Sequence, residues 1–277
     1  MKNGWKCLMI FNGGVFMEQK QKKEIAIPTA IPTATVSENR YNIFQPTDRP
    51  KEKTFVIQIK NGTIKVAGRL GQIHKDILEF TKHNYIKYGY TKDGRLAFLV
   101  DLYQLRKALG RKNLYNYETL YRLFKDLIKT TIEFDAECFK ITGNFLTQIT
   151  ESKIEVTSKS GTIRKLTRIE FSKLGTALIE NDIKLFYDPI PIIKLQYGIS
   201  KALARYVKSH KNQPNGGWKI DTLLKAILGE DAKSQTIKDA KRFLRKDAEQ
   251  LKKCGITLKN DRVFLINPDK PLQIPEK

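Results

Sequence analysis

The side chains best suited to contact a nucleic acid lie near the C-terminus, between residues 234 and 253. Apolar residues recur there every three or four positions, which predicts one helix with a single buried face; they are Ile237, Ala240, Leu244, Ala248 and Leu251. The opposite face carries one glutamine and a series of basic residues: Gln235, Lys238, Arg242, Arg245, Lys246 and Lys253. A helix divided in this way can lie in the major groove of DNA, which is wide enough to admit it.

Two kinds of contact are expected from this helix and from the hairpin that follows it. Glutamine can bond adenine and arginine can bond guanine through two atoms each, so Gln235 and Arg242 are the predicted base readers. The helix N-terminus is expected to reach the base edges as well, which adds Lys233, Ser234, Thr236 and Lys238. The remaining cations are predicted to contact phosphate, and these are Lys241, Arg245, Lys246, Lys259 and Arg262.

A basic helix face is more often simply solvated, so the wider charge distribution is needed to interpret it. Between Ile199 and Ile266 there are sixteen Lys and Arg residues and seven Asp and Glu residues, a surplus of nine positive charges. The whole chain of 277 residues has a net charge of +22, which indicates a polyanionic partner. The basic helix follows another predicted helix and the turn Gly229–Asp231, and this helix-turn-helix arrangement together with the charge favours nucleic-acid binding.

The elements that must position these residues follow a defined order. Apolar spacing predicts a helix over Ile199–Val207, a strand at Trp218–Ile220 and a helix that begins at Asp221. A turn at Gly229–Asp231 leads into the basic helix, and a β-hairpin over Ile256–Ile266 closes the unit. Helix, strand, helix, turn, helix and hairpin is the order of a winged helix.

The same order is predicted once earlier in the chain. A helix with an apolar stripe begins near Leu70 and precedes a strand at Leu96–Val100 and a helix capped by Asp101. A second helix follows, and from Thr131 to about Tyr187 the pattern is β-rich over more residues than one hairpin requires. Six polar residues match the binding positions of the second unit: Arg111, Lys112, Asn113, Asn116, Arg122 and Lys125. Contacts with the DNA backbone and a protein interface fit these residues equally well.

These patterns predict an α+β chain with two tandem winged-helix domains and a flexible N-terminal arm. The predicted bounds are 1–54 for the arm, 55–190 for the first domain with its β-rich extension, and 191–270 for the second domain. An arm is favoured by a Pro/Thr/Ala tract near residues 27–35 and by the lack of helical or strand periodicity. Residues 1–16 are interpreted as an over-extended reading frame, with translation starting at Met17.

Patterns typical of catalytic and metal sites are missing from the sequence. The cysteines Cys7, Cys138 and Cys254 are far apart, which argues against a zinc site and favours reduced thiols in a cytoplasmic protein. The motifs of P-loop ATPases, serine hydrolases and HExxH metalloproteases do not occur, and His74 is expected to be an exposed helix residue. We therefore expect no enzymatic activity, no cofactor and no metal, and no apolar run is long enough to span a bilayer.

Three segments of the second unit carry a resemblance to a known family. They are Ala202–His210, Trp218–Leu224, and the basic helix up to Gly255 with its closing hairpin. These segments resemble the C-terminal winged helix of TrfA-type plasmid replication initiators, within the iteron-binding Rep proteins. The resemblance extends more loosely to the first unit through Leu70–Ile77.

The resemblance implies two tandem winged helices, of which the C-terminal one binds repeated origin sequences, or iterons, in double-stranded DNA. It implies backbone contacts and dimerisation for the N-terminal unit, and hence a monomer–dimer equilibrium. It also implies that the protein opens an AT-rich origin segment and recruits host DnaA and the replicative helicase.

Two other functions fit parts of the sequence. A winged-helix transcriptional repressor, including one that acts on its own gene, would use the same basic helix. Two winged units in one chain, with a strongly basic second unit, favour an initiator that grips an extended site. A basic membrane-surface adaptor ranks lower, because no amphipathic helix has a bulky apolar face left unburied.

Overall fold

The computed structural model describes residues 30–110, 116–136, 139–157 and 161–266 of the chain. In these ranges the protein contains ten helices and thirteen strands, and the strands pair antiparallel in four small sheets. The α+β class predicted from the sequence is confirmed. None of the helices in these ranges is both long and apolar enough to cross a bilayer.

Residues 30–52 pack against the rest of the molecule, whereas the sequence predicts a flexible arm up to residue 54. β1 (Ala34–Thr35) pairs with β10 (Lys184–Leu185), and a capping box begins α1 (Val36–Arg40). Three apolar side chains of this segment are buried: Ile31, Ile43 and Phe44. Their irregular spacing has no local period, so their burial depends on tertiary contacts that sequence periodicity does not report. Residues 1–29 of the predicted arm lie outside the described residues.

The first unit contains two four-stranded sheets and four helices in its described ranges. Its elements are β2 (Lys53–Ile59), β3 (Gly62–Gly68), α2 (Gln72–His83), β4 (Lys87–Tyr90), β5 (Leu96–Val100), α3 (Leu102–Ala108), α4 (Tyr117–Lys129), β6 (Thr131–Ala136), β7 (Phe139–Gly143), β8 (Leu146–Thr157), β9 (Ile163–Phe171) and α5 (Lys173–Asn181). The sheets have the strand orders β2-β3-β6-β7 and β4-β5-β9-β8. Apolar side chains from both sheets and from α2 to α5 form one core between them.

The helices and strands predicted for the first unit are confirmed up to β9, and the region after it differs. Asp101 accepts a hydrogen bond from the N–H of Tyr103 and so caps α3, as expected. Where the sequence predicts continued β-structure, the chain forms α5 instead. Ser172 begins this helix by accepting a hydrogen bond from the N–H of Gly175. The helix then buries Leu174, Leu178 and Ile179 against the core.

The second unit forms around its own, smaller core. Its elements are α6 (Ile190–Ile193), α7 (Gly198–Lys208), β11 (Trp218–Lys219), α8 (Ile220–Leu228), α9 (Ser234–Lys246), α10 (Ala248–Lys253), β12 (Ile256–Lys259) and β13 (Arg262–Leu265). The predicted hairpin is confirmed as β12-β13. Asn260 and Asp261 form its two-residue turn, both with positive φ angles, which matches the twist of the strands.

The long basic helix predicted over residues 234–253 is interrupted at Asp247, which separates α9 from α10. The buried Asp247 carboxylate accepts hydrogen bonds from the N–H groups of Gln196 and Tyr197, at 3.2 and 3.1 Å. These groups lie at the start of α7, where a negative charge is favourable. The interruption therefore coincides with a contact to residues 50 and 51 positions earlier in the chain, at the start of α7.

The two units share one pattern of strand pairing. In each, the last strand of the hairpin pairs with the strand that precedes the second helix: β9 with β5, and β13 with β11. The resulting orders are β5-β9-β8 and β11-β13-β12. In the first unit this sheet has one more strand, β4, at its edge. The first unit also has a second, separate sheet with the order β2-β3-β6-β7.

Helix α2 is buried on its polar side as well as on its apolar side. The buried polar residues include His74, Lys75, Asp76, Glu79 and Lys82. The prediction that His74 is exposed was wrong. Its Nδ1 accepts a hydrogen bond from the N–H of Gly71, and its Nε2 lies 3.3 Å from the Asp126 carboxylate. The amphipathic pattern of α2 does not reveal that α1 and α7 cover its polar face.

Candidate nucleic-acid interface

Helix α9 has one face anchored in the second core and one face in solvent. Ala240 and Leu244 are buried among side chains of α7 and α8, and the Phe243 ring stacks on Tyr197 at 4.5 Å. The residues of the opposite face are exposed: Ser234, Gln235, Thr236, Lys238, Arg242, Arg245 and Lys246. The structure thus brings the predicted groove-facing side chains together on one solvent-exposed surface.

The N-terminus of α9 is open to solvent. Gly229, with φ of 106°, ends α8. The short turn that follows leads to Lys233, which is the N-cap residue of α9. Lys233, Ser234 and Thr236 are exposed. No side chain in the described part of the protein caps this helix end, so its first-turn N–H groups can bond water or an anionic group.

Both predicted base readers donate to the same carboxylate. Arg242 Nη2 lies 3.1 Å from Asp239 Oδ1, and Gln235 Nε2 donates to Asp239 Oδ2 at 3.3 Å. Because Asp239 lies between them on α9, these contacts hold both side chains along the exposed face. To contact a base, Arg242 or Gln235 would first have to break its contact with the Asp239 carboxylate. The sequence places Asp239 one turn into this helix beside Lys238 and Arg242, but it does not predict that this carboxylate contacts both base readers.

The residues predicted to contact phosphate differ in whether they already form an ion pair with another described residue. Lys246 and Lys259 are exposed and have no ion pair with any residue in the described ranges. Arg245 is also exposed and lies 3.4 Å from the Asp261 carboxylate. Lys241 is only 19% exposed and lies 2.8 Å from the Asp221 carboxylate.

Arg262 has a structural contact that sequence reasoning missed. Its Nη1 donates to the carbonyl oxygens of Gly216 and Gly217, at 2.9 and 3.2 Å. This fastens the loop before β11 to the hairpin. Phosphate contacts by Lys241 and Arg262 stay predictions, and each would compete with these intramolecular contacts.

The binding residues predicted in the first unit are only partly described. Arg111, Lys112 and Asn113 lie outside the described residues. The Asn116 side chain caps α4 by accepting a hydrogen bond from the N–H of Thr119 at 2.7 Å, so its oxygen is already used. Arg122 and Lys125 are exposed on α4. The sequence places Tyr117 on the inward face of this helix, but its side chain is 44% exposed.

A buried junction of charged side chains joins the two units through α2 and α7. Arg205 on α7 donates to Asp76, Glu79 and Gln72 of α2. Lys201 Nζ lies 2.6 Å from Asp76 Oδ2 and 3.1 Å from Asp48 Oδ1. The buried ion pairs of this junction orient α9 relative to the first unit, and the sequence contains no signal that distinguishes them from solvated charges.

The Glu38 carboxylate on α1 extends the junction. Lys75 and Lys82 each lie 2.8 Å from its Oε2. Burial alone would raise the pKa of Glu38, but the two lysines outweigh it and lower the pKa from 4.5 to about 2. Burial lowers the pKa of Lys75 to about 8, in spite of the neighbouring Glu38 and Glu79 carboxylates.

No family model matches the chain, and no curated protein matches it. Among solved structures, the crystal structure of RctB domains 2-3 (RctB-155-483) is similar at 11% sequence identity and a TM-score of 0.46. The match covers 82% of this chain and 94% of that one. A likeness of this size carries no functional conclusion, so the function has to be inferred from this chain's own residues.

Proposed function

We propose that this chain is a sequence-specific, double-stranded DNA-binding protein that initiates plasmid replication. In this proposal both units are winged helices, and α9 of the second unit lies in the major groove. The repeated strand orders β5-β9-β8 and β11-β13-β12 support this assignment. In both units a helix, a strand, two helices and a hairpin follow in that order, with β4, β6 and β7 inserted in the first unit and α10 in the second.

The exposed face of α9 is the observation that supports DNA binding most strongly. Gln235 and Arg242 lie two turns apart on this face, and Ala240 and Leu244 fix the helix to the core. Lys238 between them is exposed and has no ion pair with any other described residue. A helix anchored to the core presents its donors to base edges without any further ordering of its backbone. Lys246 and Lys259 then contact phosphate, as does Arg245 once it leaves Asp261.

Initiation of replication, rather than repression, is proposed from the resemblance to TrfA-type initiators and from the junction between the units. The buried ion pairs hold the first unit beside the second, so one chain would contact a longer stretch of origin DNA than α9 alone. Repeats of the duplex site bound by α9 are iterons. Origin opening, recruitment of host DnaA and helicase, and a monomer–dimer equilibrium belong to the same proposal. So do a cytoplasmic location, the absence of enzymatic activity and the absence of a cofactor.

Nuclease footprinting of the purified protein on the DNA that flanks its own gene tests the proposal. With random competitor DNA present, we expect several protected direct repeats, phased at about two helical turns. Arg242→Ala should abolish protection of the repeats at the concentration at which the wild-type protein protects them. Lys92→Ala removes an equal charge from the exposed turn between β4 and β5 and should leave the footprint intact.

Two other outcomes would contradict the proposal in different ways. A single protected palindrome over the promoter would identify a transcriptional repressor and would leave the role of α9 standing. Salt-sensitive coating of all DNA, unchanged by Arg242→Ala, would mean that the positive charge binds DNA without reading its sequence.

A further inference from the structure

An exposed cluster of tyrosine and arginine side chains lies on the first unit, and we call it the tyrosine–arginine patch. It consists of Tyr103 and Arg106 on α3, Tyr117 and Tyr121 on α4, and Arg164 on β9. The three tyrosines remain 36%, 44% and 38% exposed, in that order. Within the described residues, none of their hydroxyl groups takes part in a hydrogen bond. Exposed aromatic and arginine side chains in one cluster are typical of a binding surface.

Guanidinium groups and rings alternate across the patch. The Arg164 Cζ lies 4.4 Å from the centroid of the Tyr103 ring. Arg106 lies between two rings, with its Cζ 5.9 Å from Tyr103 and 5.2 Å from Tyr117. Tyr121 follows Tyr117 by one turn of α4 and therefore extends the same surface.

Contacts behind the patch hold it in place. Asp101 caps α3 through the N–H of Tyr103, and its other carboxylate oxygen lies 3.3 Å from Arg164 Nε. On α4, Leu120 and Phe124 are fully buried and anchor the helix in the first core. The arrangement of flat groups is thus built into the fold before any ligand arrives.

We propose that the tyrosine–arginine patch binds an unpaired nucleic-acid strand, whose bases stack on the tyrosine rings and guanidinium planes. Base faces are accessible only where bases are unpaired, and every base has such a face, so the site would tolerate any sequence. Phosphates of the strand would contact Lys107, Arg122 and Lys125. All three are exposed, and none has an ion pair with another residue of the described ranges.

Comparison of α4 with α9 favours an unpaired strand over a duplex. Each of the two helices is the last long helix before the hairpin of its unit, with β6 and β7 inserted after α4 and α10 inserted after α9. The exposed face of α9 carries Gln235 and Arg242, donors that suit groove edges, while its aromatic residue Phe243 is packed against Tyr197. The exposed face of α4 instead carries two tyrosine rings, which offer flat apolar surface and suit stacking. The inference goes beyond the duplex binding proposed for α9 and does not depend on it.

Fluorescence anisotropy of the full chain with two labelled probes tests the inference. The probes are a 20-nucleotide oligo(dT) and a 20-base-pair duplex of random sequence. The double variant Tyr117→Leu/Tyr121→Leu should weaken oligo(dT) binding by about tenfold for each ring lost. It should leave duplex binding unchanged. The control Tyr117→Phe/Tyr121→Phe keeps the rings and should bind oligo(dT) like the wild type.

A reciprocal variant separates this inference from the proposed function. Arg242→Ala/Lys246→Ala should weaken duplex binding and leave oligo(dT) binding unchanged. A crosslink from 5-iodouracil in the strand to Tyr103, Tyr117 or Tyr121 would locate the site directly. Circular dichroism of the leucine variant checks that it is folded, which the exposure of both rings leads us to expect.

Three results would overturn the inference. The first is that the wild-type chain does not bind oligo(dT). The second is that the leucine and phenylalanine variants lose equal affinity, which would mean hydroxyl contacts instead of stacking. The third is that the leucine variant binds oligo(dT) normally. If this variant also sediments as a smaller species than the wild type, the patch is a protein interface.

Discussion

Arg205 on α7 donates hydrogen bonds to both carboxylate oxygens of Glu79 on α2, from Nε to Oε1 at 2.9 Å and from Nη2 to Oε2 at 2.8 Å. The same guanidinium donates to Asp76 and Gln72, so its bonds to α2 leave little freedom of rotation. All four side chains are buried. The two units of the chain are therefore joined by a bidentate ion pair that is buried away from water. The attraction in such a pair offsets the cost of desolvating both charges only when the geometry is good.

Removal of Arg205 should destabilise the protein strongly. Arg205→Ala leaves the Asp76 and Glu79 carboxylates buried with one partner fewer, which we expect to cost about 3–5 kcal/mol. Urea unfolding followed by fluorescence measures the loss. Arg245→Ala is the matched control, because Arg245 is 70% exposed and its pair with Asp261 should contribute less than about 1 kcal/mol. Equal losses in the two variants would show that the junction does not hold the units together.

Acid should weaken the junction through Glu38. The carboxylate has a pKa of about 2 in the folded protein and 4.5 as a model group, so the unfolded chain binds its proton first. The stability that Glu38 contributes is therefore complete above pH 4.5 and is lost as the pH falls toward 2. Its size is on the order of a few kcal/mol.

Unfolding free energies measured between pH 2 and 7 test this dependence on Glu38. Glu38→Gln keeps the shape of the side chain and removes its charge, so the variant should be less stable at pH 7 and should change less with acid. An acid profile identical to that of the wild type would assign the acid sensitivity to other carboxyl groups.

Arg242 should read one base pair. Arg242→Ala should weaken binding to the footprinted site by about 1–3 kcal/mol and relax the preference at one position. Competition binding with site variants, each changed at one base pair, measures both effects. Arg242→Ala losing the same affinity on random DNA would remove this residue from base reading.

Asp239→Asn provides the complementary variant. The wild-type carboxylate holds Arg242 and Gln235 in the free protein, and its charge opposes nearby phosphates. The substitution should therefore raise affinity for random DNA more than for the specific site, which lowers the specificity ratio. A drop in affinity on both DNAs would mean that Asp239 positions Arg242 in the complex as well.

Lys246 should contribute to binding without contributing to sequence preference. Lys246→Ala is expected to weaken binding to all duplexes alike and to reduce the slope of log K against log salt by about one. Titrations at several salt concentrations on specific and random duplexes provide this slope. An unchanged slope would place Lys246 outside the contact surface.

Local periodicity determined much of the second unit before the fold was known. The apolar stripe of α9, with Ala240 and Leu244 inward and Arg242 outward, follows from the 3.6-residue turn alone. The β12-β13 hairpin follows from alternating apolar residues around Asn260 and Asp261. These predictions succeeded because each depends on residues within one or two turns of one another.

Which polar helix faces are exposed to solvent and which are buried was decided by the tertiary structure alone. Arg205 and Glu79 are 126 residues apart, and in the sequence each is simply a charged position on an amphipathic helix. The same holds for Asp247, whose contact with the start of α7 divides the predicted helix, and for Tyr117, which the pattern of α4 places inward. A hydrophobic period identifies the apolar side of an element, but the element that covers its polar side is chosen by long-range packing.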